Sequence, residues 1–213
     1  MKNYKWNTKS ATQNNEVYIV LFTSRTKDNK HLVEEGFKQR RRAFLTTEPS
    51  NSPYLLADFE NFINEGIDKE TSRMYYSVNA RDNAKINKEL VHYLIDNPDT
   101  NAAMISGKLA AIAASKECAA TKHWMFDFDS CNTDELVEFM NDIKEIDDTV
   151  EVTFHHTYNN YAVVVDHGFD TRKLMEKWGN IVGLKKDDLL YITHRTKNIN
   201  TKLAYKRKYE NRI

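Results

Sequence analysis

The stretch Trp124-Met125-Phe126-Asp127-Phe128-Asp129-Ser130 decides how the rest of the chain is interpreted. Three apolar residues lead into its first acid and an aromatic residue separates the two acids, a pattern typical of a buried β-strand. Because successive side chains of a strand point to opposite faces, Asp127 and Asp129 are expected on one face. Two such carboxylates repel each other and lose hydration, which a divalent cation would relieve. The stretch therefore predicts a strand with a metal-binding acid pair, the alternative being that the acids cap a turn.

The elements after this strand follow in a regular order. The predicted elements are the strand over 123–129, a helix over about 132–146, strands over 149–155 and 161–166, a helix capped by Asp170, and a strand over 188–193. This β-α-β-β-α-β order is that of a split βαβ unit, an antiparallel four-stranded sheet with two helices on one face. Right-handed crossovers would place its first and third strands side by side at the centre. We predict an α/β (α+β) protein with a ferredoxin-like, RRM-like palm core over residues 121–194.

Residues 1–120 predict an α/β portion packed on that core. A continuous apolar and β-branched run indicates a buried strand over Glu16–Ser24, and Arg73–Asn79 alternates as a second strand. Apolar residues at helical spacing predict the remaining elements. The predicted helices begin after Pro53, at Asp82, whose side chain can cap, and near Thr100, the last running to about Ala120.

Composition narrows the possible classes of protein. A chain of 213 residues can bury one substantial core. It shows neither an apolar run of about 18 residues nor a signal-peptide pattern, so we expect no membrane span and a cytoplasmic location. Its two cysteines, Cys118 and Cys131, belong to no CxxC pair and give no zinc signal.

The formal net charge of zero conceals an uneven distribution. Residues 121–194 hold seven basic and fifteen acidic residues, whereas the tail over 195–213 holds seven basic residues and one acidic residue. An acidic middle repels a nucleic-acid backbone unless metals or basic segments reverse the local field, and it could instead dock a basic protein partner. The sequence thus leaves both kinds of partner open.

Two basic segments are candidates for nucleic-acid contacts. In the tail, Lys206, Arg207 and Lys208 lie between two tyrosines, an arrangement that can bind single strands but is also typical of a solvated terminal helix. The run Lys38-Gln39-Arg40-Arg41-Arg42 is either a phosphate-contacting patch or a solvated face. The candidate residues there are Arg40, Arg41 and Arg42.

Three segments carry a family resemblance: the stretch WMFDFDS, the segment TYNNYAVV over 157–164, and the segment KKDDLL over 185–190. Together they resemble the archaeo-eukaryotic primase (primase-polymerase) superfamily, especially its small phage-encoded members. In that family a hydrophobic strand ends in Asp-x-Asp, a strand pair carries a Ser/Thr…Gly-Tyr-His-like motif, and a late acidic motif completes the metal site. The resemblance covers about residues 120–195.

The resemblance implies a metal-dependent nucleotidyltransferase of DNA replication that acts on nucleotides and nucleic acid. Asp127 and Asp129 would hold two Mg²⁺ or Mn²⁺ ions, and the late acid would be Asp187 or Asp188. Two-metal chemistry activates the attacking hydroxyl and stabilises charge during in-line phosphoryl transfer. The expected nucleotide-binding residues are Arg81, Lys122, His123, Thr157, Asn159 and Tyr161, although each cation among them could also be an ordinary surface charge.

The chain departs from the family pattern at Ala162, where a histidine normally contacts nucleotide phosphates. Alanine neither donates a hydrogen bond nor carries charge. The histidines close enough in sequence to substitute are His155, His156 and His167. A non-catalytic nucleotide- or protein-binding protein, of inhibitor type on a degenerate primase fold, is therefore an alternative.

A haloacid-dehalogenase-like phosphatase is a further alternative, because its first motif is also a strand ending in Asp-x-Asp. Asp127 would then be the nucleophile and Asp129 the acid/base, with Lys185 or Lys186 and the acids at 187 and 188 as later motifs. The position of the acids in the middle of the chain and the adjacent strands that follow them favour the first interpretation.

Overall fold

The computed structural model describes residues 15–198, which form a mixed α/β structure of two antiparallel sheets and five α-helices. The strands are β1 (Glu16–Ser24), β2 (Arg40–Thr46), β3 (Thr71–Ser77), β4 (Arg81–Asp82), β5 (Trp124–Phe128), β6 (Val152–His156), β7 (Tyr161–Val165), β8 (Val182–Lys185) and β9 (Leu189–Thr196). The helices are α1 (Pro53–Asn64), α2 (Asn83–Asp96), α3 (Ile105–Ala113), α4 (Thr133–Ile146) and α5 (Arg172–Trp178). None of the helices within residues 15–198 has the length and apolar content to cross a membrane.

The first sheet has the strand order β2-β1-β3-β9, with the short β4 pairing with β1. Strand β1 has the predicted bounds. Its even-numbered residues Val20 and Phe22 pack under α1, in a cluster that includes Phe59. On the opposite face Ile19 packs with Ile86 of α2 in a second cluster. Burial of β1 on both faces explains why its sequence is apolar without alternation.

The second sheet has the strand order β6-β7-β5-β8, so β5 and β7 pair at its centre. Phe126 and Phe128 of β5 pack against Phe139 of α4 and Trp178 of α5. Strand alternation directs Asp127 to the other face, away from this core. The aromatic residues of the deciding stretch therefore anchor the helices, and its acids are left on the open face.

The last predicted strand belongs to a different sheet from the one expected. The sequence predicts that the strand over 188–193 completes the 121–194 unit, but β9 pairs with β3 in the first sheet. The fourth strand of the second sheet is instead β8, which pairs with β5. Strand β8 is short and contains Gly183, which weakens its sequence signal, whereas Ile192 of β9 packs against the α1 cluster. The chain thus crosses between the sheets at residues 186–188.

Two N-terminal predictions also need correction. The basic run at 38–42 leads into β2, a strand the sequence did not indicate because its charges mask the apolar residues that follow. The single helix predicted over about 100–120 is shorter, since α3 ends at Ala113 and a separate turn, Lys116–Cys118, buries Cys118. The predicted Asp82 cap is confirmed, because its Oδ1 accepts hydrogen bonds from the backbone N–H groups of the first turn of α2.

A buried polar network ties the two sheets together. Asn79, which follows β3, accepts hydrogen bonds from the His123 backbone N–H at 2.6 Å and from the Thr121 hydroxyl at 2.9 Å. Its Nδ2 donates to the Asp187 carboxylate at 3.2 Å. Arg81 donates to the same carboxylate through Nη1 and Nη2, at 2.8 and 2.7 Å. The end of β3, the start of β5 and the β8–β9 connection are thus fixed to one another.

Candidate functional site

A cleft of ≈ 590 Å³ lies between the open face of the second sheet and the part of the first sheet that carries Leu21, Thr23 and Arg73. The first sheet and the turn after β1 supply basic and aromatic side chains, whereas β5, the β6–β7 turn and the β8–β9 connection supply acids and amides. Its lining includes Leu21, Thr23, Arg25, Lys27, Arg41, Arg73, Tyr75, Asp127, Asp129, Thr157, Tyr158, Asn159, Asn160, Ala162, Asp188 and Tyr191.

Three carboxylates line the cleft from separate points of the chain. Asp127 lies half-buried within β5, and Asp129 lies exposed directly after that strand. The Asp129 backbone N–H donates to the Ile181 carbonyl at 2.7 Å, and its carboxylate accepts from Asn160 Nδ2 at 3.3 Å. Asp188 lies at the entry to β9. Within residues 15–198 neither carboxylate of the pair accepts a backbone hydrogen bond, so turn capping does not explain the pair.

The acids interact electrostatically. Burial raises the pKa of Asp127 above its ordinary value, and the charge of Asp129 raises it further. Asp188 adds to this effect, while Lys185 opposes it. A raised carboxyl pKa means that negative charge at Asp127 is unfavourable in the protein alone. A bound cation would remove that cost.

The three carboxylates of the cleft form at most part of a ligand set for a metal ion. Residues 15–198 contain no group of three or more His, Cys, Asp or Glu side chains placed to hold a metal on their own. Mg²⁺, however, is commonly bound by one or two carboxylates together with waters and substrate phosphates. Asp127 and Asp129, with Asp188 in the same cleft, supply that kind of partial set.

The opposite wall of the cleft is basic. Arg73 is only 8% exposed and donates a hydrogen bond to Asp28. Arg25 donates to the same carboxylate group through Nε, at 3.0 Å. The Arg73 guanidinium carbon lies 4.0 Å from the centroid of the Tyr158 ring, in cation–π geometry. Arg41 lines the same wall. The cleft therefore sets acids against arginines.

The β6–β7 turn connects these two walls. It carries Thr157 and Asn159, two of the residues predicted to contact a nucleotide, and both line the cleft. On the same turn, Tyr158 packs on Arg73 while Asn160 donates to Asp129. One short turn thus touches the basic wall and the acid pair together.

Several predicted site residues lie outside the cleft lining. Asp187, one of the two candidates for the late acid, is held by buried Arg81 in the network between the sheets, so Asp188 is the late acid in the cleft. His123 is used in the same network, since its ring Nδ1 lies 3.3 Å from the Val78 carbonyl oxygen. Lys122 is exposed and does not line the cleft. Arg81 and Asp187 consequently have a structural role, because their charges satisfy each other.

Strand alternation separates the remaining candidates. Arg40 and Arg42 point towards α1, where they form ion pairs with Glu70 and Glu65, and only Arg41 faces the cleft. Tyr161 packs against the helix side of the second sheet. The tail candidates Lys206, Arg207 and Lys208 lie outside the described residues.

Of the three histidines considered as substitutes for the family histidine, one is on the cleft face. Ala162 lies opposite Asp127 on one side and His155 on the other, so His155 projects from the same face, one strand further out. The His156 ring lies 5.0 Å from the Tyr161 ring, in a tilted arrangement on the helix side. His167 contacts Asp166, with ring Nδ1 3.0 Å from a carboxylate oxygen.

Sequence reasoning missed most of the first-sheet wall. Thr23 and Arg25 are odd-numbered, like Leu21, whereas the core residues Val20 and Phe22 are even-numbered. Because side chains alternate along a strand, the sequence could have indicated that Thr23 and Arg25 lie on the side opposite to the core. A β-bulge between β3 and β9 was not predictable from sequence. It places Tyr191 and His194, three residues apart, opposite Tyr75 and Arg73 on the same face.

The chain matches no protein-family model, and neither a curated protein nor a solved structure matches it significantly.

Proposed function

We propose that the protein is a metal-dependent nucleotidyltransferase of the primase-polymerase type, acting on nucleotides and nucleic acid. The observation that carries this proposal is the cleft in which Asp127, Asp129 and Asp188 face Arg41 and Arg73. Phosphoryl transfer needs ligands for divalent cations on one side of a polyphosphate and positive charge around the rest of it. The cleft supplies both.

The second sheet supports a ferredoxin-like palm core. Its elements run β5-α4-β6-β7-α5-β8, its strand order places β5 and β7 at the centre, and α4 and α5 pack on one face. The acid pair lies on the other face, as the resemblance to primase-polymerase proteins implies. Because a fold of this kind hosts many activities, the acids and arginines carry more weight than the topology.

Each cleft residue has a defined task in this proposal. Asp127 and Asp129 would hold Mg²⁺ or Mn²⁺, with Asp188 beside them. When bound, such ions stabilise the charge on the transferred phosphoryl group and favour ionisation of the attacking hydroxyl. Asn160 orients the Asp129 carboxylate by donating a hydrogen bond to it. These residues therefore position a phosphate group at the acid side of the cleft.

The test is a double substitution of the acid pair. Asp127→Asn combined with Asp129→Asn keeps the shape of both side chains and removes their charge, so Mg²⁺- or Mn²⁺-dependent incorporation of labelled nucleotide should fall by about 1,000-fold or more. The matched control is Asp148→Asn, an exposed acid between α4 and β6. Equal incorporation by the double variant and the control would refute the proposal.

A second candidate function is nucleotide binding without turnover. It is favoured by Ala162, which occupies the position directly opposite Asp127 where the resembled family has a histidine. Metal-dependent nucleotide binding by the wild-type protein, without incorporation in the presence of any primer or template, would support this candidate. The antiparallel pairing of the second sheet does not favour the phosphatase alternative, whose fold needs repeated parallel βα units.

A further inference from the structure

Sheet register aligns three polar side chains across the first-sheet wall. Thr23 of β1 lies opposite Arg41 of β2 on one side and opposite Arg73 of β3 on the other. All three line the cleft. Neighbouring strands lie about 4.8 Å apart, so the two arginine backbones are separated by roughly 10 Å and their long side chains flank Thr23. We call Arg41, Thr23 and Arg73 the basic row.

Arg73 has an unused donor in this row. Its residue is more than nine-tenths buried, and its Nη2 donates to Asp28 while Tyr158 covers one face of the guanidinium. Its Nε is buried and has no hydrogen-bond partner among residues 15–198. An unsatisfied charged donor at a cleft is costly unless a ligand accepts from it. Arg81 Nε, in the network between the sheets, is unpartnered in the same way, so this donor supports an anion site only together with the position of Arg73 in the cleft lining.

The charge around the basic row is not balanced by nearby acids. Asp28 is shared between Arg25 and Arg73, so one carboxylate serves two guanidinium groups. Arg41 and Lys27 also line the cleft, and neither forms an ion pair within the part of the chain that the structure describes. This end of the cleft therefore attracts an anion with more than one negative charge.

The neighbouring row on the same face indicates the rest of the ligand. Leu21 of β1 lies opposite Tyr75 of β3, and Tyr75 lies opposite Tyr191 of β9, with the two tyrosine rings 5.9 Å apart. All three residues line the cleft, next to the basic row. An apolar and aromatic surface beside a phosphate site suits a nucleobase. A volume of ≈ 590 Å³ is that of a pocket for one small ligand rather than for a duplex.

We propose that the basic row is a metal-independent binding site for the polyphosphate chain of a nucleoside triphosphate, whose base lies on the Leu21, Tyr75 and Tyr191 row. The inference rests on the proposed function for the identity of the nucleotide. The anion site itself stands on Arg73, Arg41 and their surroundings. It places the polyphosphate on the first sheet and the transferred phosphoryl group towards the acid pair.

The test compares two neighbouring arginines of β2 that strand alternation places on opposite faces of the sheet. Binding of inorganic tripolyphosphate is measured by titration calorimetry in EDTA, with the wild-type chain, Arg41→Gln and Arg42→Gln. Arg41 faces the cleft whereas Arg42, its neighbour on β2, faces α1 and pairs with Glu65. We expect Arg41→Gln to weaken binding about tenfold and Arg42→Gln to leave it unchanged. Equal affinities of the two variants, or no binding by the wild-type chain, would overturn the site.

Arg73→Gln should weaken binding further, but it also leaves Asp28 with one partner fewer and could affect folding. Arg41→Gln therefore carries the test, because its side chain is exposed and forms no ion pair among the described residues.

Two further experiments distinguish a nucleotide from a nucleic-acid backbone as the ligand, and test the anion site separately from the proposed function. A single-stranded oligonucleotide without terminal phosphates should fail to displace tripolyphosphate; displacement that depends on Arg41 would assign the row to a nucleic-acid backbone and overturn the nucleotide assignment. The Asp127→Asn, Asp129→Asn double variant should bind tripolyphosphate in EDTA at least as tightly as the wild-type chain, because it removes two negative charges that repel the anion; weaker binding would contradict the placement of the anion site on the first sheet. Tripolyphosphate binding without nucleotide incorporation would support this site while the proposed function fails.

Discussion

At the scale of single residues, the cleft separates charges that would stabilise the chain if they were paired. Asp127 is half-buried beside Asp129 and has no ion-pair partner among residues 15–198. On the opposite wall, Arg73 keeps a buried Nε without a partner. Unsatisfied groups of this kind reduce stability and are typical of binding sites, where a ligand supplies the missing interactions.

The raised pKa of Asp127 predicts how the stability of the metal-free protein changes with pH. Since the folded protein binds this proton more tightly than the unfolded chain does, ionised Asp127 destabilises the fold. The penalty is absent below the ordinary carboxyl value of 3.8 and grows as pH rises from there through the raised pKa. Asp127→Asn should therefore stabilise the metal-free protein at pH 7 by about 1 kcal/mol, or ~3 °C in Tm.

Thermal unfolding in EDTA, recorded from pH 7 down towards pH 4, measures this effect. The gain in Tm should shrink as the pH falls, because the wild-type carboxyl then becomes neutral too. The matched control is Asp148→Asn, which removes an exposed charge outside the cleft. A Tm of Asp127→Asn below that of wild type at pH 7 would show that the carboxylate is stabilising and that our account of its surroundings is wrong.

At the scale of elements, the type of an element could be predicted from its local sequence pattern, but the strands with which it pairs could not. Strand β5 and helix α4 follow from their own sequences, because Phe126 and Phe128 alternate at strand spacing and Leu136, Met140 and Ile143 recur at helical spacing. The sheet that β9 joins depends on burial against residues distant in sequence, so a strand signal at 188–193 could not assign it. The acid pair was predictable from alternation, but the basic wall needs the register of three strands.

The Arg81–Asp187 pair gives a prediction for how the elements hold together. Both side chains are largely buried, at 3% and 14% exposure, and removing one charge of a buried pair leaves the other uncompensated. Asp187→Asn should therefore cost about 3 kcal/mol of unfolding free energy, measured by urea denaturation.

The exposed pair of Arg172 and Asp170 offers the comparison. Its side chains are 89% and 58% exposed, so Asp170→Asn should leave the free energy of unfolding nearly unchanged. If Asp187→Asn cost no more than this, the network would not fix the two sheets together. Asp187 would then be available for another role.

At the scale of the whole molecule, the two sheets contribute side chains of different chemistry to the cleft. The second sheet, within the acidic middle of the chain, supplies Asp127 and Asp129, the crossing between the sheets supplies Asp188, and the first sheet supplies Arg41, Arg73, Tyr75 and Tyr191. A nucleotide bound between them would have its phosphates in contact with both sheets.

The most direct test is a crystal structure of the protein soaked with Mn²⁺ and a nucleoside triphosphate that cannot be hydrolysed at its α–β bond. We expect an anomalous manganese peak within coordination distance of Asp127 and Asp129, near Asp188, with the polyphosphate reaching Arg41 and Arg73. A cleft with neither manganese nor nucleotide, or a peak at some other site, would contradict the account.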